Sequence, residues 1–111
     1  MRVEIRFRGL RGTKELRQYV VRRIGFQLSR FGDKLSAVVV RIADINGPKG
    51  GVDKECQVTV HGAQIGTSTL TELGTTSFGA VDAAVERMGR SVSRSIERTQ
   101  NWNRGRLWRG V

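Results

Sequence analysis

The 111-residue chain is predicted to fold as an α+β domain of order βαβββα: a two-layer sandwich, with a four-stranded mixed sheet and both helices packed on one face. Three observations predict it. Short segments near residues 2–8, 35–45, 55–61 and 65–73 are strand-like, several with apolar and polar residues alternating at a period of two. Two longer segments each carry one apolar stripe at a spacing of three to four, and turn-forming residues separate the segments. One-faced strands and one-striped helices bury their apolar sides only against each other, which makes two layers. A strand–helix–strand crossover at the start makes the first two strands parallel. The length suits one core, so residues 1–99 are expected to form a single domain. Residues 100–111 form a basic Trp/Arg tail, expected to be flexible.

Val3, Ile5 and Phe7 alternate with Arg2, Glu4, Arg6 and Arg8, giving the first strand one apolar and one charged face. Arg8-Gly9-Leu10-Arg11-Gly12 interrupts the alternation, and Thr13 can cap a helix running to about Phe31. Leu16, Val20, Ile24, Leu28 and Phe31 form its core stripe, and Gly32-Asp33 ends it. Leu35 to Ile45 is the second strand, with β-branched Val38, Val40 and Ile42 on one face. Asn46 to Gly51 is a loop by composition. In the third strand, Glu55 to His61, Cys56, Val58 and Val60 point inward. His61-Gly62-Ala63-Gln64 turns into a Thr-rich fourth strand, Ile65 to about Leu73. Thr75, Thr76 or Ser77 caps a last helix reaching about Thr99, whose apolar stripe is Phe78, Val81, Val85, Met88, Val92 and Ile96. From Asn101 onward no period is visible.

Charge carries the functional information. The net charge is +10, a range in which nucleic acid is the default partner. Residues 1–32 carry a net +7 and residues 87–111 a net +6, while residues 33–86 carry −3. Sixteen of the 20 cations are Arg, the better phosphate fork and base-stacking cation. In the last helix Arg87, Arg90, Arg94 and Arg98 fall nearly opposite the apolar stripe. A face tuned for stability would interleave acids at i,i+4, but Arg90, Arg94 and Arg98 are like-charge neighbours and only Glu86 is placed to pair with Arg90. A single-sign stripe that weakens its own helix fits polyanion binding better than a solvated face.

In the first helix Arg22, Arg23 and Arg30 lie off the core stripe and are read as RNA contacts, with Tyr19 and Phe26 in the same sector. Those two aromatics either stack on bases or pack at the edge of the core. In the tail, Trp102, Arg104, Arg106, Trp108 and Arg109 form either an RNA-stacking segment or a disordered end. Lys34, Arg41, Lys49 and Lys54, the cations of the acidic middle, are expected to matter less.

Enzymatic constellations are missing. His61 is the sole histidine and Cys56 the sole cysteine, and they fall on opposite faces of one strand, so no dyad or metal set forms from them. Arg8 to Gly12 lacks the Lys-Ser/Thr of a phosphate-binding P-loop and reads as a plain turn. No cofactor, metal, catalytic residue or small-molecule substrate is expected. No apolar run approaches the ~18 residues that span a bilayer, and Met1 to Arg6 is no secretory leader. A cytoplasmic, membrane-free protein is expected.

The chain resembles the ribosome hibernation-promoting factor and protein Y family over residues 1 to about 99. The resemblance rests on Glu15-Leu16-Arg17-Gln18-Tyr19-Val20 opening the first helix, Arg30-Phe31 closing it, and Asn46-Gly47-Pro48-Lys49-Gly50-Gly51-Val52-Asp53-Lys54 before the third strand. It rests most on Ala80-Val81-Asp82 followed by Arg87, Arg90 and Arg94. Thr76-Ser77-Phe78 stands where that family usually has Asp-Leu-Tyr, the loop before the first helix is short, and the Trp/Arg tail has no counterpart. The resemblance implies a protein that docks on the small ribosomal subunit and its rRNA, between head and body, and holds idle ribosomes out of translation. It makes Arg22, Arg23, Arg87, Arg90, Arg94 and Arg98 the RNA contacts. Longer members pair ribosomes through a second domain, so no ribosome dimerisation is expected of this chain alone.

Two other readings compete. A double-stranded-RNA-binding domain has the order αβββα with cations at the start of its last helix, but Thr75 to Val85 holds no Lys or Arg. A regulatory module for an acidic protein surface explains the charge but not the preference for Arg or the Trp-bearing tail.

Overall fold

The computed structural model describes residues 1–45 and 53–109, with side chains described through residue 101. Strand β1 (Arg2–Arg8) leads into helix α1 (Lys14–Leu28) and a 3-10 segment (Ser29–Lys34). Strands β2 (Ala37–Asp44), β3 (Lys54–Gly62) and β4 (Gly66–Gly74) follow, and helix α2 (Ser77–Arg109) is the last described element. The sheet order is β1-β2-β3-β4. β1 runs parallel to β2, as a helical crossover requires, and the other two pairings are antiparallel. The expected α+β architecture is the one observed.

Each expected stripe meets one common core. Leu16, Val20, Ile24 and Leu28 from α1 join Val38, Val40 and Ile42 from β2, Cys56, Val58 and Val60 from β3, and Val81, Val85, Met88, Val92 and Ile96 from α2. Val3, Ile5 and Phe7 of the edge strand β1 pack against it half-buried. Thr13 caps α1 by accepting a hydrogen bond from the Leu16 amide at 3.2 Å, and Thr76 caps α2 by accepting one from the Gly79 amide at 3.0 Å.

Several expectations need correction. α1 stops at Leu28, not Phe31, because the chain tightens into the 3-10 segment and then breaks at Gly32, with φ of 56°. Phe31 still reaches the core edge from that segment. The β3–β4 connection is closed at Gly66, with φ of 71°, a left-handed position that glycine occupies at no steric cost. The largest difference lies at the end: α2 continues to Arg109, ten residues past the expected stop. Nothing in that stretch terminates a helix, since the single proline is Pro48 and Gly105 stands alone. The helical backbone of the tail is described, whereas the side chains of Trp102, Arg104, Arg106, Trp108 and Arg109 lie outside the described residues, as does the Asn46 to Gly51 loop with Lys49.

Phe78 is also corrected. It is 43% exposed rather than a core member, because it sits on the first turn of α2 and meets Tyr19 edge-on, ring centroids 5.0 Å apart. Close approach at the helix seam is permitted by the buried Gly89, where a Cβ would come within 3.1 Å of Gln27.

Candidate nucleic-acid interface

The outer surfaces of α1, the 3-10 segment and α2 carry the singled-out cations of residues 22–98. On α2, Arg87, Arg90, Arg94 and Arg98 are all exposed. Arg87 pairs with Glu72 of β4 at 2.8 Å and Arg90 with Glu86 at 2.8 Å. The Arg side chains in those pairs keep 54% and 60% of their surface in solvent. Exposed pairs of this kind contribute about 0–1 kcal/mol, so a phosphate can displace the carboxylate at little cost. Arg94 has no hydrogen bond or ion pair among the described residues, and Arg98 reaches only Ser95, at 3.5 Å. The Arg90–Glu86 pair was legible as an i,i+4 spacing. The Arg87–Glu72 pair was not, because it joins residues 15 apart on different elements.

The arginines of α1, together with Arg30, which lies on the 3-10 segment rather than on the first helix as expected, are arranged differently. Each stacks over an aromatic ring: Arg17 over Phe7, Arg22 over Tyr19, Arg23 over Phe26 and Arg30 over Phe31, with 4.7 to 5.9 Å from guanidinium carbon to ring centroid. Stacking restricts the rotamers that a phosphate contact would otherwise have to freeze, and of the four only Arg22 makes no hydrogen bond or ion pair among the described residues. Arg22 is exposed beside a surface groove that also involves Arg17, Gln18 and Val21. Arg30 donates to the Gly89 carbonyl at 3.4 Å and so also links the 3-10 segment to α2.

Arg23 serves the helix seam as well as the surface. Its Nε lies 3.0 Å from Asp82 Oδ1, and its side chain is only 27% exposed. The contact is an ion pair not aligned as a hydrogen bond, which leaves that buried N–H compensated in charge but without a hydrogen-bond partner. Tyr19 donates its hydroxyl to the same Asp82 oxygen at 2.6 Å, and that hydrogen bond raises the phenol's pKa above its ordinary value. The two aromatics of this sector therefore part ways. Tyr19 packs at the core edge, while Phe26 is 76% exposed. Asp82, the anchor of this cluster, was visible in the sequence only as part of a motif, since its partner Tyr19 is 63 residues away.

Enzyme-like groups are placed elsewhere and apart. Cys56 is buried in the core, and burial pushes its thiol up to about 12, far from a nucleophile's range. His61 pairs with Thr67 on the open face of the sheet at 2.9 Å. Among the described residues, no group of three or more His, Cys, Asp or Glu is placed to hold a metal, and no helix is long and apolar enough to cross a membrane.

Fold and surface together define a small α+β domain with a cationic helical face. The family model for sigma 54 modulation protein / S30EA ribosomal protein matches residues 3–100, and the chain belongs to that family. Among solved structures, the fold is similar to the N-terminal domain of Thermus thermophilus protein Y, with a TM-score of 0.69 at 22% identity, covering 85% of this chain and 98% of that one. It is also similar to a ribosomal subunit interface protein from Coxiella burnetii, with a TM-score of 0.69 at 15% identity, covering 85% of this chain and 96% of that one. No curated protein sequence matches.

Proposed function

We propose that this chain docks on the small ribosomal subunit by holding rRNA phosphates on its helical face, and that it thereby inhibits translation and promotes ribosome hibernation. The observation that carries the reading is the exposed Arg stripe of α2, in which Arg94 has no partner among the described residues and Arg98 only a weak one. Family membership and the ribosomal partner named for the Coxiella protein support the same direction. Arg22 on α1 and Arg30 on the 3-10 segment extend the face. Arg23 contributes there only what its ion pair with Asp82 leaves free. The tail residues Trp102, Arg104, Arg106, Trp108 and Arg109 are proposed to lengthen the RNA track. The protein acts in the cytoplasm on this reading, as a stress-responsive regulator without a small-molecule substrate or cofactor.

The test is co-sedimentation with purified small subunits over a range of salt concentrations. Each phosphate contact contributes roughly 0.7–0.9 to the slope of log K against log salt. Replacing Arg87, Arg90, Arg94 and Arg98 with Gln should lower the slope by about 3 and abolish inhibition of translation in vitro. Replacing Lys14 and Lys34 instead should leave inhibition in place. Equal binding and equal slopes for the two variants would reduce the stripe to a solvated face. In the same gradients, with intact ribosomes, this chain alone should produce no ribosome dimers.

A further inference from the structure

The open face of the sheet, opposite the helices, carries a second cationic feature that the helical reading does not use. Arg6 on β1 and Arg41 on β2 are direct partners in the parallel register, and both are exposed. Strands in a sheet lie about 4.8 Å apart, so two guanidinium stems start side by side. Like charges in such a position are destabilising. Arg8 follows Arg6 by two residues, about 6.6 Å along the same face. A cleft of about 590 Å³ opens among Arg6, Arg8, Arg41, Ala43, Glu55 and Gln57. Ala43 makes the depression, since it is the small residue between Arg8 and Glu55 in one cross-strand row.

Of the acids nearby, Glu4 neutralises Arg6 alone. Glu4 engages Arg6 at 2.7 Å, and the surrounding arginines, Arg6 first, hold its carboxyl below the usual carboxylate range. Neither Arg8 nor Arg41 makes a hydrogen bond or ion pair among the described residues, and Glu55 pairs with none of the three. Beyond the cleft the face is polar, with a Thr59–Thr69 hydroxyl pair at 2.9 Å and His61 on Thr67. Phe7 and Ile42 also line the cleft, and among the described residues the face adds only half-buried Val39 and exposed Leu73 as apolar contacts, a sparse set for the apolar core of a protein interface.

We propose that the Arg6/Arg8/Arg41 cleft is a second RNA site, holding the phosphate backbone of a single-stranded segment on the side of the domain away from the helices. The chain then carries cations on both outer surfaces of the sandwich and bridges two RNA segments rather than lying on one. The proposal shares with the previous one only the premise that RNA is the partner. It moves Arg41 out of the group of less consequential cations, where its place in the acidic middle of the sequence had put it.

The experiment is a binding stoichiometry at low salt, with the full chain and an oligouridylate of about five nucleotides, sized to occupy one phosphate track at a time. The parent chain should take up two oligonucleotides. The triple variant Arg6→Gln, Arg8→Gln, Arg41→Gln should take up one, and the α2 quadruple variant should also take up one. Arg6→Lys, Arg8→Lys, Arg41→Lys should restore two, which separates loss of charge from loss of fold, and Glu55→Gln should tighten the cleft site by about two- to threefold. A parent stoichiometry of one, lost in the α2 variant and unchanged in the triple variant, would overturn the cleft site while leaving the helical face intact. Loss in the triple variant alone would refute the helical reading and retain the cleft. Preferential displacement by a poly-glutamate peptide would also overturn it, by assigning the cleft to an acidic protein.

Discussion

Replacing Asp82 with Ala tests whether the helix seam is held by one shared carboxylate. Asp82 Oδ1 accepts the Tyr19 hydroxyl at 2.6 Å and lies 3.0 Å from Arg23 Nε. Hydrogen bonds to charged groups contribute roughly 1.5–3 kcal/mol when buried. The Asp82 side chain is 43% exposed, which brings the Tyr19 bond down to about 1 kcal/mol. The ion pair, 27% exposed on its Arg23 side, adds about 0.5–1 kcal/mol. The total of about 1.5–2 kcal/mol corresponds to a drop in Tm on the order of 6–9 °C for a domain of this size. Tyr19→Phe should cost about 1 kcal/mol by itself and nothing further once Asp82 is Ala, a coupling of about 1 kcal/mol in a double-mutant cycle followed by urea denaturation. If Tyr19→Phe is as stable as the parent, or if its cost adds in full to that of Asp82→Ala, the shared-carboxylate account is refuted. The result also bears on Arg23. An Arg23→Gln variant would lose RNA affinity and seam stability together, unlike Arg94→Gln, which removes a cation with no described partner and should stay within about 0.5 kcal/mol of the parent.

Two further outcomes follow from the same geometry. The Tyr19 pKa is raised in the folded state, so its stabilisation is complete below the ordinary value of 10.0 and is lost as pH rises through the folded value. The stability gap between the parent and Tyr19→Phe should therefore narrow above pH 10.0 and stay constant below it, as read by thermal melts across that range. Cys56, fully buried with its thiol pushed up to about 12, should resist a thiol reagent at neutral pH and react only after denaturation. Prompt labelling of the native protein would contradict the core placement.

The sequence by itself determined the layer architecture and most of the core. Period-two alternation in β1 and β3, the β-branched face of β2 and the apolar stripes of both helices are local patterns, and burial followed them at Leu16, Val38, Val58 and Met88. The α2 Arg stripe was legible for the same reason, since helical periodicity places a face without reference to any partner. Boundaries and pairings were decided by tertiary structure. The first helix gives way to a 3-10 segment before its expected end, and α2 runs past its expected end because no residue there stops it. The helix seam depends on Tyr19 and Asp82, 63 residues apart, and the open-face cleft depends on the register that sets Arg6 beside Arg41. Contacts between residues so far apart leave no periodic trace. They arise from how two packed layers bring distant side chains together, so Arg23, Arg41 and Arg94, alike as sequence cations, differ in what surrounds them.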